Sequence, residues 1–142
     1  MKILILGSGG REHAFCWKLS QSKWCSALYT APGNAGTAQY GQNISIDIND
    51  FNSVRDTCLS NGIGMVVVGP EEPLVNGIYD FFKNDADLKD ILITGPSSAG
   101  ARLEGSKAFA KNFLQTHRIP TAGYREFDSS GFEEGVAYIQ QH

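Results

Sequence analysis

The sequence has no excess of positive charge. Twelve Lys and Arg stand against fifteen Asp and Glu, for a net charge of -3 and a pI near 5.5. This leaves no bulk electrostatic case for nucleic acid or an anionic membrane as partner. Cysteine is scarce. The three present (Cys16, Cys25 and Cys58) form no CxxC pair and are odd in number. They suit a reducing compartment better than a disulfide framework. Cys16 and Cys58 lie in amphipathic patterns and are expected to fill core. Long apolar runs are missing too. Near the N-terminus Ile3-Leu4-Ile5-Leu6 is cut off at Gly7. That is too short for a secretory signal, or for the roughly 20 residues of a membrane span. A soluble, cytoplasmic protein is expected. With 42 % hydrophobic residues in a chain of 142, there is enough apolar material to bury a core. No internal repeat or low-complexity segment is evident.

Glycine is abundant instead: 16 of 142 residues, about 11 % against roughly 7 % in average proteins. Its placement is informative. Lys2–Leu6 runs into GSGG, Ala27–Ala31 into PGNAGT, Met65–Val68 into GPEEP and Ile91–Thr94 into GPSS. Continuous apolar runs of this length suit strands buried on both faces of a parallel sheet. Asn43–Ile48 reads as a weaker strand, with Ile44, Ile46 and Ile48 alternating with polar residues. Helical patterns fall between the strands. One runs from Arg11 to about Gln21. Another is capped by Asn49 or Asp50 and carries Phe51, Val54 and Cys58. A third opens at Pro73 with Leu74, Ile78, Phe81 and Phe82 on one face. Strand and helix in alternation predict a doubly wound α/β sheet.

The texture changes after Gly100. A helix is expected over Gly105–His117, with Phe109, Phe113 and Leu114 on one side. Thr121–Phe127 follows as a possible strand. Ser129 or Ser130 then caps a last helix carrying Phe132, Val136 and Ile139. Its period still runs at His142, so this element is expected to continue in a longer chain.

In an open α/β sheet, ligands bind outside the carboxyl ends of the strands. The four glycine-rich loops lie there. GSGG precedes the first helix, so it is a plausible cradle for a phosphate or carboxylate. A nicotinamide site fits less well. GxGxxG matches at Gly7 and Gly9, but Glu12 takes the third position, where a carboxylate opposes a pyrophosphate. The second strand ends Tyr29-Thr30-Ala31-Pro32, without the acidic residue that ribose hydroxyls need. GARLEGSK is not a P-loop either, because Ser106 separates Gly105 from Lys107 and Ala108 stands where a hydroxyl belongs. Glu71 and Glu72, adjacent carboxylates at the end of the best buried strand, suit ribose hydroxyls or an amine, with Glu71 favoured by position over helix N-terminal charge complementing the dipole before Pro73. His13 is expected to pack at the start of its helix, and Trp17 and Trp24 to pack rather than stack on ligand. His117 and His142 read as surface residues. No Ser/His/Asp arrangement or metal-ligand spacing stands out.

MKILILGSGGREHA, APGNAGT, VVVGPEEPLVNGI, GPSSAGARLEGSKAFAKNFL and IPTAGY, in this order, resemble the N-terminal portion of the phosphoribosylamine–glycine ligase family. The resemblance covers nearly the whole chain. It implies a Rossmann-like parallel sheet, the pre-ATP-grasp domain, over residues 1–100, and the start of an ATP-grasp domain over 101–142. It also implies an ATP-dependent ligase of purine biosynthesis that joins glycine to 5-phosphoribosylamine through a glycyl phosphate. ATP and Mg2+ (or Mn2+) are the implied cofactors, held mainly by parts of the family fold beyond His142. Small molecules (5-phosphoribosylamine, glycine and ATP) are then the partners, with no nucleic acid and no membrane. Carried over by position, Gly9, Gly10, Arg11, Asn34, Gly36, Thr37 and Glu71 are the substrate-side candidates. Lys107 matches a lysine near the nucleotide phosphates, a role that suits a point charge. No catalytic residue and no metal ligand is expected within this chain, which alone is expected to be inactive. The rivals are a nicotinamide oxidoreductase domain and a non-catalytic small-molecule sensor. A sensor has no need of GSKAF or of a half-finished second domain.

Overall fold

The four glycine-terminated runs all become parallel strands in the computed structural model, which describes residues 1–141. Strands β1 (Lys2–Gly7), β2 (Ala27–Pro32), β3 (Gln42–Asn43), β4 (Met65–Val68) and β5 (Leu92–Thr94) form one sheet in the order β3-β2-β1-β4-β5. Leu4 of β1 is in register with Tyr29 on one side and Val66 on the other. Alternate side chains of a strand point to opposite faces, and both faces here are covered. Leu4, Leu6, Val66 and Val68 pack with Val54, Cys58, Ile78 and Phe82. Ile3, Ile5 and Val67 pack with Leu28 and Cys16. Hence β1 shows no alternation in sequence, and its Leu4, Ile5 and Leu6 are fully buried.

The helices follow local chemistry. Helix α1 (Gly10–Ser20) starts on the last glycine of GSGG. Helix α2 (Phe51–Asn61) is capped by Asp50, whose carboxylate accepts from the Asn52 and Ser53 amides. Both cysteines read as core are buried. Burial pushes the Cys58 thiol up to about 12. Burial also raises Cys16, whose Sγ lies 3.1 Å from Thr30 Oγ1.

Several expectations are corrected. The strand expected over Asn43–Ile48 pairs only at Gln42–Asn43, and Ile46 and Ile48 reach the core from a loop. The helix opening at Pro73 is two short helices, α3 (Glu72–Val75) and α4 (Ile78–Asn84). The break is at Gly77, whose φ of +97 no helix permits. The helix expected over Gly105–His117 does form, as α6 (Lys107–Thr116) with Ser106 as its cap, and a separate helix that was not expected, α5 (Ser98–Gly105), precedes it. No strand forms over Thr121–Phe127. Asp128, not Ser129 or Ser130, caps the turn that leads into α7 (Phe132–Gln140). Trp17 and Trp24 are exposed rather than packed, at 52 % and 72 %. His13 does pack, against Tyr40. His117 is at the surface, whereas His142 lies outside the described residues.

Residues 1–105 form one compact unit and the residues from Ser106 onward a second. In the first unit, carboxylates tie helices to their neighbours. Asp80 of α4 accepts from the Ser98 amide at the start of α5, at 2.8 Å. Asp85 accepts from Arg55 Nε of α2, at 2.9 Å. Donated hydrogen bonds hold three carboxyls below the usual aspartate range: Asp50 through the Ser53 hydroxyl, Asp80 through the Ser98 amide, and Asp85 through the Asp87 amide with help from Arg55. A depressed folded-state pKa stabilises above the unfolded value of about 4, and that stabilisation is lost as pH falls through the folded value. The urea midpoint is therefore expected to hold from pH 7 to about 5 and to drop below about pH 4. A midpoint that stays level down to pH 3 contradicts this.

Candidate functional site

The carboxyl ends of β1, β2 and β4 border a cavity of about 490 Å³. This edge, where the strand order reverses direction around β1, is where open α/β sheets bind ligands. The walls come from four loops. Gly7, Ser8 and Gly9 follow β1, and Glu12 projects from α1. Pro32 ends β2. Ile46, Asp47, Ile48 and Asn49 follow β3. Pro70 and Glu72 follow β4. Among the described residues that line it are three carboxylates, Glu12, Asp47 and Glu72, and no lysine or arginine.

Glu12 is 4 % exposed. Its Oε2 accepts the Gly9 amide at 2.6 Å, and its Oε1 lies 3.1 Å from Arg11 Nε. Two glycines make room for it. A Cβ on Gly7 would come within 2.7 Å of the Glu12 carboxyl carbon, and one on Gly69 within 2.1 Å of Oε1. The glycines ending β1 and β4 thus admit the carboxylate between two strand ends, and Gly7 at φ +124 also turns the chain into the loop.

PGNAGT is built around Asn34. Its Nδ2 donates to the carbonyls of Ser8 (2.7 Å) and Gly9 (3.2 Å), and its Oδ1 accepts the amides of Gly36 (2.7 Å) and Thr37 (3.0 Å). The hydroxyl of Thr37, a fully buried residue, accepts the Asn34 amide at 2.8 Å. One side chain therefore fastens the loop after β2 to the loop after β1.

The expected residues divide accordingly. Gly9 lines the cavity. Gly10 opens α1 with open space at its Cβ, and Arg11 is half exposed beside Glu12. Asn34, Gly36 and Thr37 shape the neighbouring loop without lining the cavity. Glu71 stands at the N-cap position of α3 without a side-chain capping bond and is exposed, while Glu72 lines the cavity in its place. Lys107 belongs to the second unit, where it lines a cavity of about 490 Å³ with Lys111, Tyr124, Arg125 and Phe127. Residues 46–49 had no part in the expected site, and of the adjacent pair Glu71 and Glu72 the expectation favoured Glu71, whereas Glu72 lines the cavity. The turn Asp47-Ile48-Asn49 ahead of α2, at the same sheet edge, was the available signal.

The profile of the family "Phosphoribosylglycinamide synthetase, N domain" matches residues 1–104. The chain belongs to this synthetase family. Among curated relatives of the synthetase, it is similar to phosphoribosylamine–glycine ligase of Escherichia coli K12, at 46 % identity over 99 % of this chain and 32 % of the relative. The same enzyme of Pasteurella multocida is 47 % identical, with the same coverage. The chain spans about a third of the length of these relatives. Among solved structures, phosphoribosylamine–glycine ligase from Thermotoga maritima matches with a TM-score of 0.64 and 28 % identity, over 97 % of this chain and 30 % of that one. N5-carboxyaminoimidazole ribonucleotide synthetase from the same organism matches with a TM-score of 0.61 and 19 % identity, over 96 % and 36 %. The latter likeness is one of fold. The synthetase N domain and the first compact unit end within one residue of each other.

Proposed function

We propose that this chain supplies the phosphoribosylamine-binding part of an ATP-dependent ligase. The ligase joins glycine to 5-phosphoribosylamine and yields glycinamide ribonucleotide for purine biosynthesis. The observation that carries the reading is the cavity at the carboxyl ends of β1, β2 and β4, formed inside the family's N domain. Its contribution is positioning: a bound amine is held in one orientation for attack. The carboxylates of Glu12, Asp47 and Glu72 suit donors such as a sugar hydroxyl or an amine.

ATP, when bound, supplies the phosphoryl group that activates the glycine carboxylate. Lys107, Lys111 and Arg125 bring cationic donors, and Tyr124 and Phe127 bring aromatic surface, to one cavity. That donor set fits a nucleotide, and Lys107 is the phosphate-side candidate. Magnesium fits less well. Among the described residues, no three His, Cys, Asp or Glu side chains converge on a point. We assign the protein to the cytoplasm, which suits three free cysteines. Among the described residues, no helix is long and apolar enough to cross a membrane.

The test is a titration of the isotope-labelled chain with ribose 5-phosphate, read by amide NMR. Shifts are expected at Gly9, residues 46–49 and Glu72, and no turnover is expected when ATP, glycine and phosphoribosylamine are added to this chain alone. Silence at these amides with millimolar phosphosugar would remove the reading. Shifts with NAD around residues 7–12 would favour the oxidoreductase instead.

A further inference from the structure

A glycine loop opening into a helix is ordinarily an anion seat, because the first-turn amides have no carbonyl partner within the helix. At α1 the first of these amides, that of the N-cap Gly9, is already taken from within the chain. Glu12 holds the Gly9 amide at 2.6 Å, is 4 % exposed, and draws Arg11 Nε to 3.1 Å. It is wedged where a methyl on Gly69 would come within 2.1 Å. A ligand phosphate approaching this loop therefore meets a fixed carboxylate of its own sign. Asp47 and Glu72 face the same cavity, and no cation lines it among the described residues.

We propose that Glu12 is a specificity-determining residue that sets the polarity of the cavity. By occupying the anion seat of α1, it makes the ligand present hydroxyl or amine groups to the Gly7–Gly9 loop and direct its phosphate away from it. The orientation rests on the phosphosugar reading above; the exclusion of phosphate from the loop does not. An amine or hydroxyl adds a charge-assisted hydrogen bond to the Glu12 carboxylate. A phosphate in the same place adds like-charge repulsion in a partly desolvated site, where repulsion is strongest. The same arrangement rejects a dinucleotide, whose pyrophosphate requires this seat.

Inorganic phosphate is the probe, followed by the amide resonances of Gly9 and Gly10. The unmodified chain is expected to give no saturable response there. Glu12→Ala frees the Gly9 amide and the Arg11 guanidinium together, so phosphate binding at this loop should strengthen about tenfold or more. Glu72→Gln removes the same charge from the cavity and leaves the seat filled, so it should gain nothing at Gly9 and Gly10. Saturable binding by the unmodified chain at these amides would overturn the proposal. So would a folded Glu12→Ala chain that gains nothing, or an equal gain in Glu72→Gln. If Glu12→Ala does not fold, Glu12→Gln decides: it keeps the shape and loses the charge, and the Gly10 amide must then respond to phosphate. Phosphate carries no sugar, so these results report on Glu12 even if ribose 5-phosphate binds elsewhere.

Discussion

Replacing Gly69 by alanine is expected to destabilise the fold by about 3 kcal/mol. The added Cβ would lie 2.1 Å from Glu12 Oε1, 2.7 Å from its carboxyl carbon and 2.8 Å from the Leu6 carbonyl oxygen. A flexible side-chain end could swing aside, but Glu12 is buried and held by the Gly9 amide. The Leu6 oxygen cannot move at all without bending β1, which is paired on both sides. The fold must therefore shift a central strand or expel a carboxylate. The check is a urea denaturation followed by circular dichroism, with Gly10→Ala as control. A Cβ at Gly10 meets nothing within 4 Å, so that change should stay within about 0.5 kcal/mol. If Gly69→Ala is as mild as Gly10→Ala, Glu12 is not wedged as described.

Asn34→Ala should cost about 2 kcal/mol and should also weaken binding of ribose 5-phosphate. The asparagine makes four hydrogen bonds, two to carbonyls of the first loop and two from amides of its own loop. Alanine leaves the Ser8 carbonyl and the Gly36 and Thr37 amides to find water, while the Gly9 carbonyl keeps the His13 amide. It also removes the side-chain tie between the two loops, so Gly9 loses its support from the side of β2 and the Gly33 amide on the Gly7 carbonyl is left to join them. Asn34→Asp separates the two effects. It keeps the acceptor for the Gly36 and Thr37 amides but sets a charge against the Ser8 and Gly9 carbonyls. Its loop should stay formed while phosphosugar binding still falls. Unchanged stability and affinity in Asn34→Ala would show that the loops hold without this link.

The strands were legible because burial on both faces leaves a simple trace: β1 and β4 are unbroken apolar runs ended by glycine. The fold class followed from them. The misread strand at Asn43–Ile48 has a physical cause. Ile46 and Ile48 alternate with polar residues because a loop passes over the core edge, not because a pleat exposes every second residue. The break at Gly77 was hidden because Leu74, Ile78 and Phe82 reach one core from either side of it. In the site, GSGG and GPEEP could be placed at the carboxyl edge by topology alone. The partnership of Glu12 with Gly69 could not, because it depends on two strand ends meeting in space. The loop-fastening bonds of Asn34 could not be read ahead, because they run to main-chain atoms that carry no side-chain signature.

The two tryptophans of the chain are Trp17 and Trp24, and both stand largely in water, at 52 % and 72 % exposure. Neither borders the cavity. Trp24 lies at the other end of β1, where its carbonyl accepts the amino terminus of Met1 at 2.7 Å. The native indole emission is thus already that of a solvated ring, and an occupied cavity has no fluorophore to report on it. An optical assay for this domain needs an indole introduced at the rim, and Asn49, an exposed residue that lines the cavity from the loop after β3, is the natural position.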